Sequence, residues 1–192
     1  MNNSRAFRGL SLAGLVTLGL VAVTPALAES QFTTGNTANL QASARLDFQI
    51  NIPRFISFQV GSAGVVVDEV VFDVAAANVG SGTAVGPTSG SPVAVTLKGN
   101  GGAINLTADT TGTSLTSGSD IIPFTQINST TASGTITAPT LVQNGVSAAV
   151  AVPVSSGRVT DRSATWSYTY ANTAIVGAGT YDGQVRYTAT MP

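Results

Sequence analysis

From Ala38 to Ile52 apolar and polar residues alternate without a break. Ala38, Leu40, Ala42, Ala44, Leu46, Phe48, Ile50 and Ile52 hold the even positions, and Asn39, Gln41, Ser43, Arg45, Asp47, Gln49 and Asn51 stand between them. A period of two sends successive side chains to opposite faces of an extended strand, whereas a helix would scatter this pattern around its axis. The expectation is a strand with one face on a core and the other in water. Pro53 lacks a backbone donor, which predicts a bend, an edge or a change of sheet. The alternation resumes at Ile56, Phe58 and Val60 and stops at Gly61-Ser62-Ala63-Gly64.

The same period recurs downstream. Val65 to Val74 is a β-branched run that predicts one or two strands, and Ala75 to Pro92 is a small, polar, Gly-rich stretch that reads as a mobile surface loop. Val93, Val95 and Leu97 make the next strand. Gly99-Asn100-Gly101-Gly102 is a turn, because Gly and Asn tolerate positive φ, and Ala103 to Ala108 is expected to run back as a hairpin partner. Thr110 to Asp120 reads as loop, Ile121 to Ile127 as a short edge strand around Pro123, and Thr135 to Val142 as another interrupted by Pro139. After Asn144-Gly145, strands follow over Val146 to Val154, Ala164 to Tyr170 and Thr180 to Met191. Short strands at roughly ten-residue spacing, with no helical window, predict an all-β sandwich.

The first 28 residues stand apart from this pattern. Arg5 and Arg8 precede the apolar run LSLAGLVTLGLVAV, and Ala26-Leu27-Ala28 closes it with small residues at the spacing of a cleavage site. This predicts a secretory signal peptide over 1–28 and an exported mature chain, in the periplasm, on the cell surface or outside the cell. The run is shorter than the ~20 residues a membrane-spanning helix needs, and no later segment is long and apolar enough to span. About 164 residues then remain, the size of one domain. We divide them into an N-terminal arm, 29–44, and a domain, 45–192.

Composition narrows the chemistry. The chain has no His and no Cys, so imidazole bases, thiolate nucleophiles, the usual zinc ligands and disulfide staples are all absent. Eight basic residues against nine acidic ones leave a net charge of −1, too little positive charge to neutralise a row of phosphates. We therefore expect no nucleic-acid partner, no cofactor and no catalysis. The single lysine, Lys98, sits at a strand end beside the Gly turn, where nothing supports a Ser–Lys dyad.

Other clusters have bland explanations that outweigh the functional ones. Asp68, Glu69 and Asp73 form the only acidic group. They could serve as a hydrolytic carboxylate pair or as calcium ligands, but they fit better as charges that break up an aggregation-prone valine run. Asp161-Arg162 reads as a local ion pair at a turn. Trp166, Tyr168, Tyr170, Tyr181 and Tyr187 hold the only Trp and all four Tyr. Their even spacing argues for packing across one sheet ahead of a sugar-stacking platform. The triplets Asn105-Leu106-Thr107 and Asn128-Ser129-Thr130 carry no weight in a chain this rich in Asn and Thr.

The C-terminal segment GTYDGQVRYTATMP opens on Gly179, fourteenth from the end, and alternates through Tyr181, Val185, Tyr187, Ala189 and Met191. With the leader, the polar alternating arm and the run of short strands, this layout resembles subunits of chaperone–usher pili. It departs from them in having no cysteine and in carrying Met191 at the penultimate position. The resemblance implies an immunoglobulin-like sandwich that lacks one strand. A periplasmic chaperone, acting with an outer-membrane usher, would fill its groove first, and the arm of the next subunit afterwards. Phe32, Thr34, Ala38, Leu40 and Ala42 are then the donor candidates, and Gly179, Tyr181, Val185, Tyr187, Ala189 and Met191 of the terminal strand are further candidate subunit-interface residues. The expected function is a structural subunit of a surface fibre that self-associates or joins other pilus subunits. The alternatives are a stand-alone secreted sandwich that binds carbohydrate or a surface protein, and a small outer-membrane barrel. Against the barrel, the few aromatics gather at one end of the chain and form no pair of girdles.

Overall fold

A computed structural model describes residues 29–36 and 38–192, so the leader expected over 1–28 lies outside the described residues. Two compact units divide at Asn51/Ile52. In the first, residues 29–36 and 38–51 are exposed and carry no assigned strand. Three contacts fold it back on itself: Thr33 Oγ1 donates to the Gln41 carbonyl (3.1 Å), Ser43 N–H to Gln31 Oε1 (3.2 Å), and Arg45 Nε to Glu29 Oε2 (2.6 Å).

The second unit is all-β and antiparallel. Its strands are β1 (Ile56–Val60), β2 (Val93–Gly99), β3 (Ile104–Asp109), β4 (Leu115–Ser117), β5 (Asp120–Ile122), β6 (Ile127–Gly134), β7 (Val150–Val152), β8 (Thr160–Tyr170) and β9 (Arg186–Thr190). They form a four-stranded sheet ordered β1-β2-β8-β6, a three-stranded sheet ordered β7-β3-β9, and a small β4-β5 hairpin. No helix among the described residues is long and apolar enough to cross a membrane.

Alternation builds the core. Val93, Val95 and Leu97 of β2 and Ala164, Trp166 and Tyr168 of β8 come from one sheet. Ile104 and Leu106 of β3 and Val152 of β7 come from the other, and all of them join one buried cluster. Their polar neighbours along each strand face outward, as the pleat requires. Ile136 and Ala138 enter the same cluster from a segment that is not itself a strand.

Several sequence expectations change at this level. β2 and β3 are not a hairpin: β2 pairs with β1 and β8, and β3 with β7 and β9. Both strands carry a buried apolar face, so the Gly99–Gly102 turn carries the chain from one sheet to the other and lets those faces share a core. The run Val65 to Val74 makes only an isolated bridge at Val71, with Val65, Val66 and Val67 exposed. The stretch 75–92 is tied down: Val85 exchanges backbone hydrogen bonds with Tyr170, and buried Asn172 accepts from Gly80 N–H and donates to the Asn78 carbonyl. Residues 135–142 form no strand, and 110–120 contains part of the β4-β5 hairpin. No apolar alternation marks β6, because its half-buried positions after Ile127 are Ser129 and Thr131. It ends in a bulge after Thr131 and then Gly134, at φ +89°, where a Cβ would meet the Ser163 carbonyl and Ala164. Only glycine fits that close approach.

Candidate functional site

The long alternating segment buries none of its apolar face. Leu46 is 65% exposed, Phe48 86%, Ile50 82% and Ile52 77%. The expectation of a core strand over 38–52 is therefore overturned. Residues 38–52 pair with no described strand, so no neighbour covers the face that alternation would turn inward. Leu46, Phe48, Ile50 and Ile52 thus form an apolar row along one side of the segment that is left open to water.

Immediately after this row the backbone is anchored. Asn100, read from sequence as a turn residue, accepts from Phe55 N–H (2.8 Å) and donates through Nδ2 to the Pro53 carbonyl (2.7 Å). Its amide substitutes for a strand partner beside a proline that cannot donate. Arg54 Nη2 donates to the backbone oxygen of Pro192 (2.8 Å). The residues just ahead of β1 are thereby tied to the far end of β9. No sequence signal marks this long-range link.

β1 and β9 each end a sheet, so each has one unpaired edge. The C-terminal strand starts at Arg186, later than the expected Thr180. Gly179 and Tyr181 precede it, with a Cβ at Gly179 set to strike Ser117 and the Tyr181 hydroxyl donating to the Gly177 carbonyl (2.8 Å). Val185 packs on a second cluster of Ala108, Phe124 and Leu141. Tyr187, Ala189 and Met191 pack on the main core and stay half-buried. Phe58 and Val60 of β1 do the same from the other sheet. Of the N-terminal candidates, Phe32 and Thr34 lie on one limb of the folded-back segment and Leu40 and Ala42 on the other, with Ala38 near the bend.

Of the aromatic group, Trp166 and Tyr168 are buried in the main core, Tyr187 packs against it and Tyr170 is buried, while Tyr181 stays outside both core clusters. Trp166 is fully buried and donates from Nε1 to the Ile136 carbonyl (2.8 Å), with the Tyr187 ring centroid 5.1 Å away. The Tyr168 and Tyr187 hydroxyls meet at 3.1 Å. β8 and β9 belong to different sheets, so this contact crosses the core and does not run along one sheet as expected. Burial pushes the Tyr187 hydroxyl far above its ordinary pKa, and Tyr168 pushes it the same way. Burial also raises Tyr168, partly offset by its hydrogen bond to Tyr187. Both groups stay protonated in the folded state after they have ionised in the unfolded chain. Their contribution is thus complete below pH ~10 and is lost as pH rises above it. Urea midpoints should hold steady from pH 7 to 9 and fall by pH 11. The Tyr168→Phe/Tyr187→Phe variant should show a weaker alkaline decline, and an equal decline in both proteins would contradict this assignment.

The polar clusters serve structure. Asp68 Oδ2 accepts from Ser62 N–H (2.6 Å) and Asp73 Oδ2 from Thr88 Oγ1 (2.7 Å), so each carboxylate closes its own loop. The Asp161–Arg162 pair does not form. Asp161 lies 3.9 Å from Lys98 Nζ, and Arg162 donates to the Pro153 and Val154 carbonyls. Compared with family models, curated proteins and solved structures, the chain matches none.

Proposed function

We propose that this chain is a structural subunit of a cell-surface fimbria or pilus-type fibre, exported behind a leader at 1–28, and that its subunits associate by β-strand donation. In this proposal the second unit is an immunoglobulin-like sandwich short of one strand. The arm 29–44, continued by the exposed row to Ile52, supplies that strand to a neighbour. A periplasmic chaperone and an outer-membrane usher would handle the subunit before assembly, and it would run no reaction.

The observation that carries this is the exposed alternating row Leu46-Phe48-Ile50-Ile52. An extended segment with this pattern gains backbone hydrogen bonds and side-chain burial together when it adds to an open sheet edge. Fully burying one such side chain is worth about 1.5–3 kcal/mol.

Deleting residues 29–51 tests it. The shortened protein should fold with an unchanged thermal midpoint, stay monomeric by size-exclusion chromatography and form no fibres by electron microscopy, whereas the intact mature chain forms them. Fibres from the deleted chain would refute strand donation. A monomeric intact chain would point instead to the stand-alone secreted sandwich.

A further inference from the structure

We infer that the N-terminal arm is closed on itself as an autoinhibitory latch, which rests on the strand-donation proposal and adds how the donor is restrained before assembly. The three contacts within 29–45 share one register. Glu29 meets Arg45, Gln31 meets Ser43 and Thr33 meets Gln41, so each step of two along one limb is matched by a step of two back along the other. That is the pairing of an antiparallel hairpin. Asn39, at φ +82°, stands at the head of the returning limb in a conformation that asparagine tolerates. Every contact uses at least one side chain: Ser43 Oγ also lies 3.5 Å from Gln31 Oε1, and no backbone–backbone hydrogen bond joins the limbs among the described residues.

The odd residues that make these contacts are polar, and an extended pleat turns Phe32, Leu40, Ala42 and Ala44 to the other side, in phase with Leu46 to Ile52. Closure shortens the arm. An extended strand rises about 3.3 Å per residue, so doubling 29–45 back on itself removes roughly half the reach of the opened arm. Each limb also has one flank taken by the other, whereas a donated strand hydrogen-bonds through its own backbone to the sheet that receives it. Donation of 29–44 therefore requires opening. The restraint is light, because the Arg45 and Glu29 side chains are 85% and 50% exposed and exposed pairs hold weakly. Burial of the apolar face in a neighbour outweighs it, so the latch slows the start of assembly and leaves its end point unchanged.

The chain's lack of cysteine makes the test direct. Gln31→Cys/Ser43→Cys in the mature chain places two thiols opposite each other in the closed register, within disulfide reach. In glutathione buffer their effective concentration should exceed that of Gln31→Cys/Gln49→Cys, a pair outside the register, by at least ten-fold, well above the roughly two-fold that the shorter loop gives. Equal values overturn the closed arm. Oxidised Gln31→Cys/Ser43→Cys should then start fibres at least ten-fold later than the parent, and reduction should restore the parent's rate or better. Fibres forming from the oxidised chain on the parent's schedule overturn the latch while strand donation stands. Fibres from the chain lacking 29–51, or none from the parent, remove strand donation and the latch with it. Glu29→Gln or Arg45→Gln should start assembly about two- to five-fold sooner at low salt, the range an exposed pair allows, and Glu29→Arg/Arg45→Glu should return the parental lag. Added salt should shorten the parent's lag and leave that of Glu29→Gln unchanged. Single and double variants that all keep the parental lag overturn the ion pair's part in the latch.

Discussion

Replacing Trp166 by alanine should destabilise the domain by about 3–5 kcal/mol, the usual cost of deleting a large core aromatic. Three losses coincide at this position. The side chain is fully buried among residues of both sheets, so its removal leaves a cavity between them. The Tyr187 ring loses its partner at 5.1 Å, which loosens β9 on the core. The Ile136 carbonyl loses the Nε1–H donor. That carbonyl lies in a segment that is not a strand and has Trp166 as its donor, and an unpaired buried acceptor costs about 1–3 kcal/mol. Urea unfolding should show a midpoint shifted down by one to several molar, given slopes of about 1–3 kcal/mol per molar. Trp166→Phe should lose less, because it keeps most of the volume and gives up the hydrogen bond. A Trp166→Ala shift worth under about 1 kcal/mol would mean that the two sheets do not share the core described.

The second large effect concerns assembly and spares stability. Phe48→Asp/Ile50→Asp should abolish fibre formation and leave the thermal midpoint within a degree or two of the parent. Both side chains are more than four-fifths exposed, so charging them costs the isolated domain nothing in packing. In a neighbour's groove each would forfeit about 1.5–3 kcal/mol of burial and add a desolvated carboxylate. The corresponding loss of association is a hundred-fold or more, since each 1.4 kcal/mol is ten-fold. Sedimentation or size-exclusion at matched concentration reads it. Unchanged fibres would show that the row is not what joins subunits, and a collapsed midpoint would show that it belongs to the domain's own core.

Period and punctuation were enough to place most of the strands. Val93-Val95-Leu97 and Ala164-Trp166-Tyr168 are buried as their alternation required, because a side-chain period of two has only one way to meet a core. The same rule could not say what a strand's face would meet. Ala38 to Ile52 has the clearest alternation in the chain and stays in water, since local pattern states that a face is apolar and is silent on whether a partner exists. Strand pairing was equally hidden: β2 and β3 flank a turn suited to a hairpin yet join different sheets, as their shared need for burial outweighs the turn's local preference. The links that shape the candidate site are longer still. Asn100 to Pro53 and Phe55, and Arg54 to Pro192, join residues 45 or more positions apart. Composition and alternation alone determined an all-β chain without histidine or cysteine. Only the tertiary structure decided which apolar face went uncovered and which edges lie open, because both depend on contacts between residues far apart in the chain.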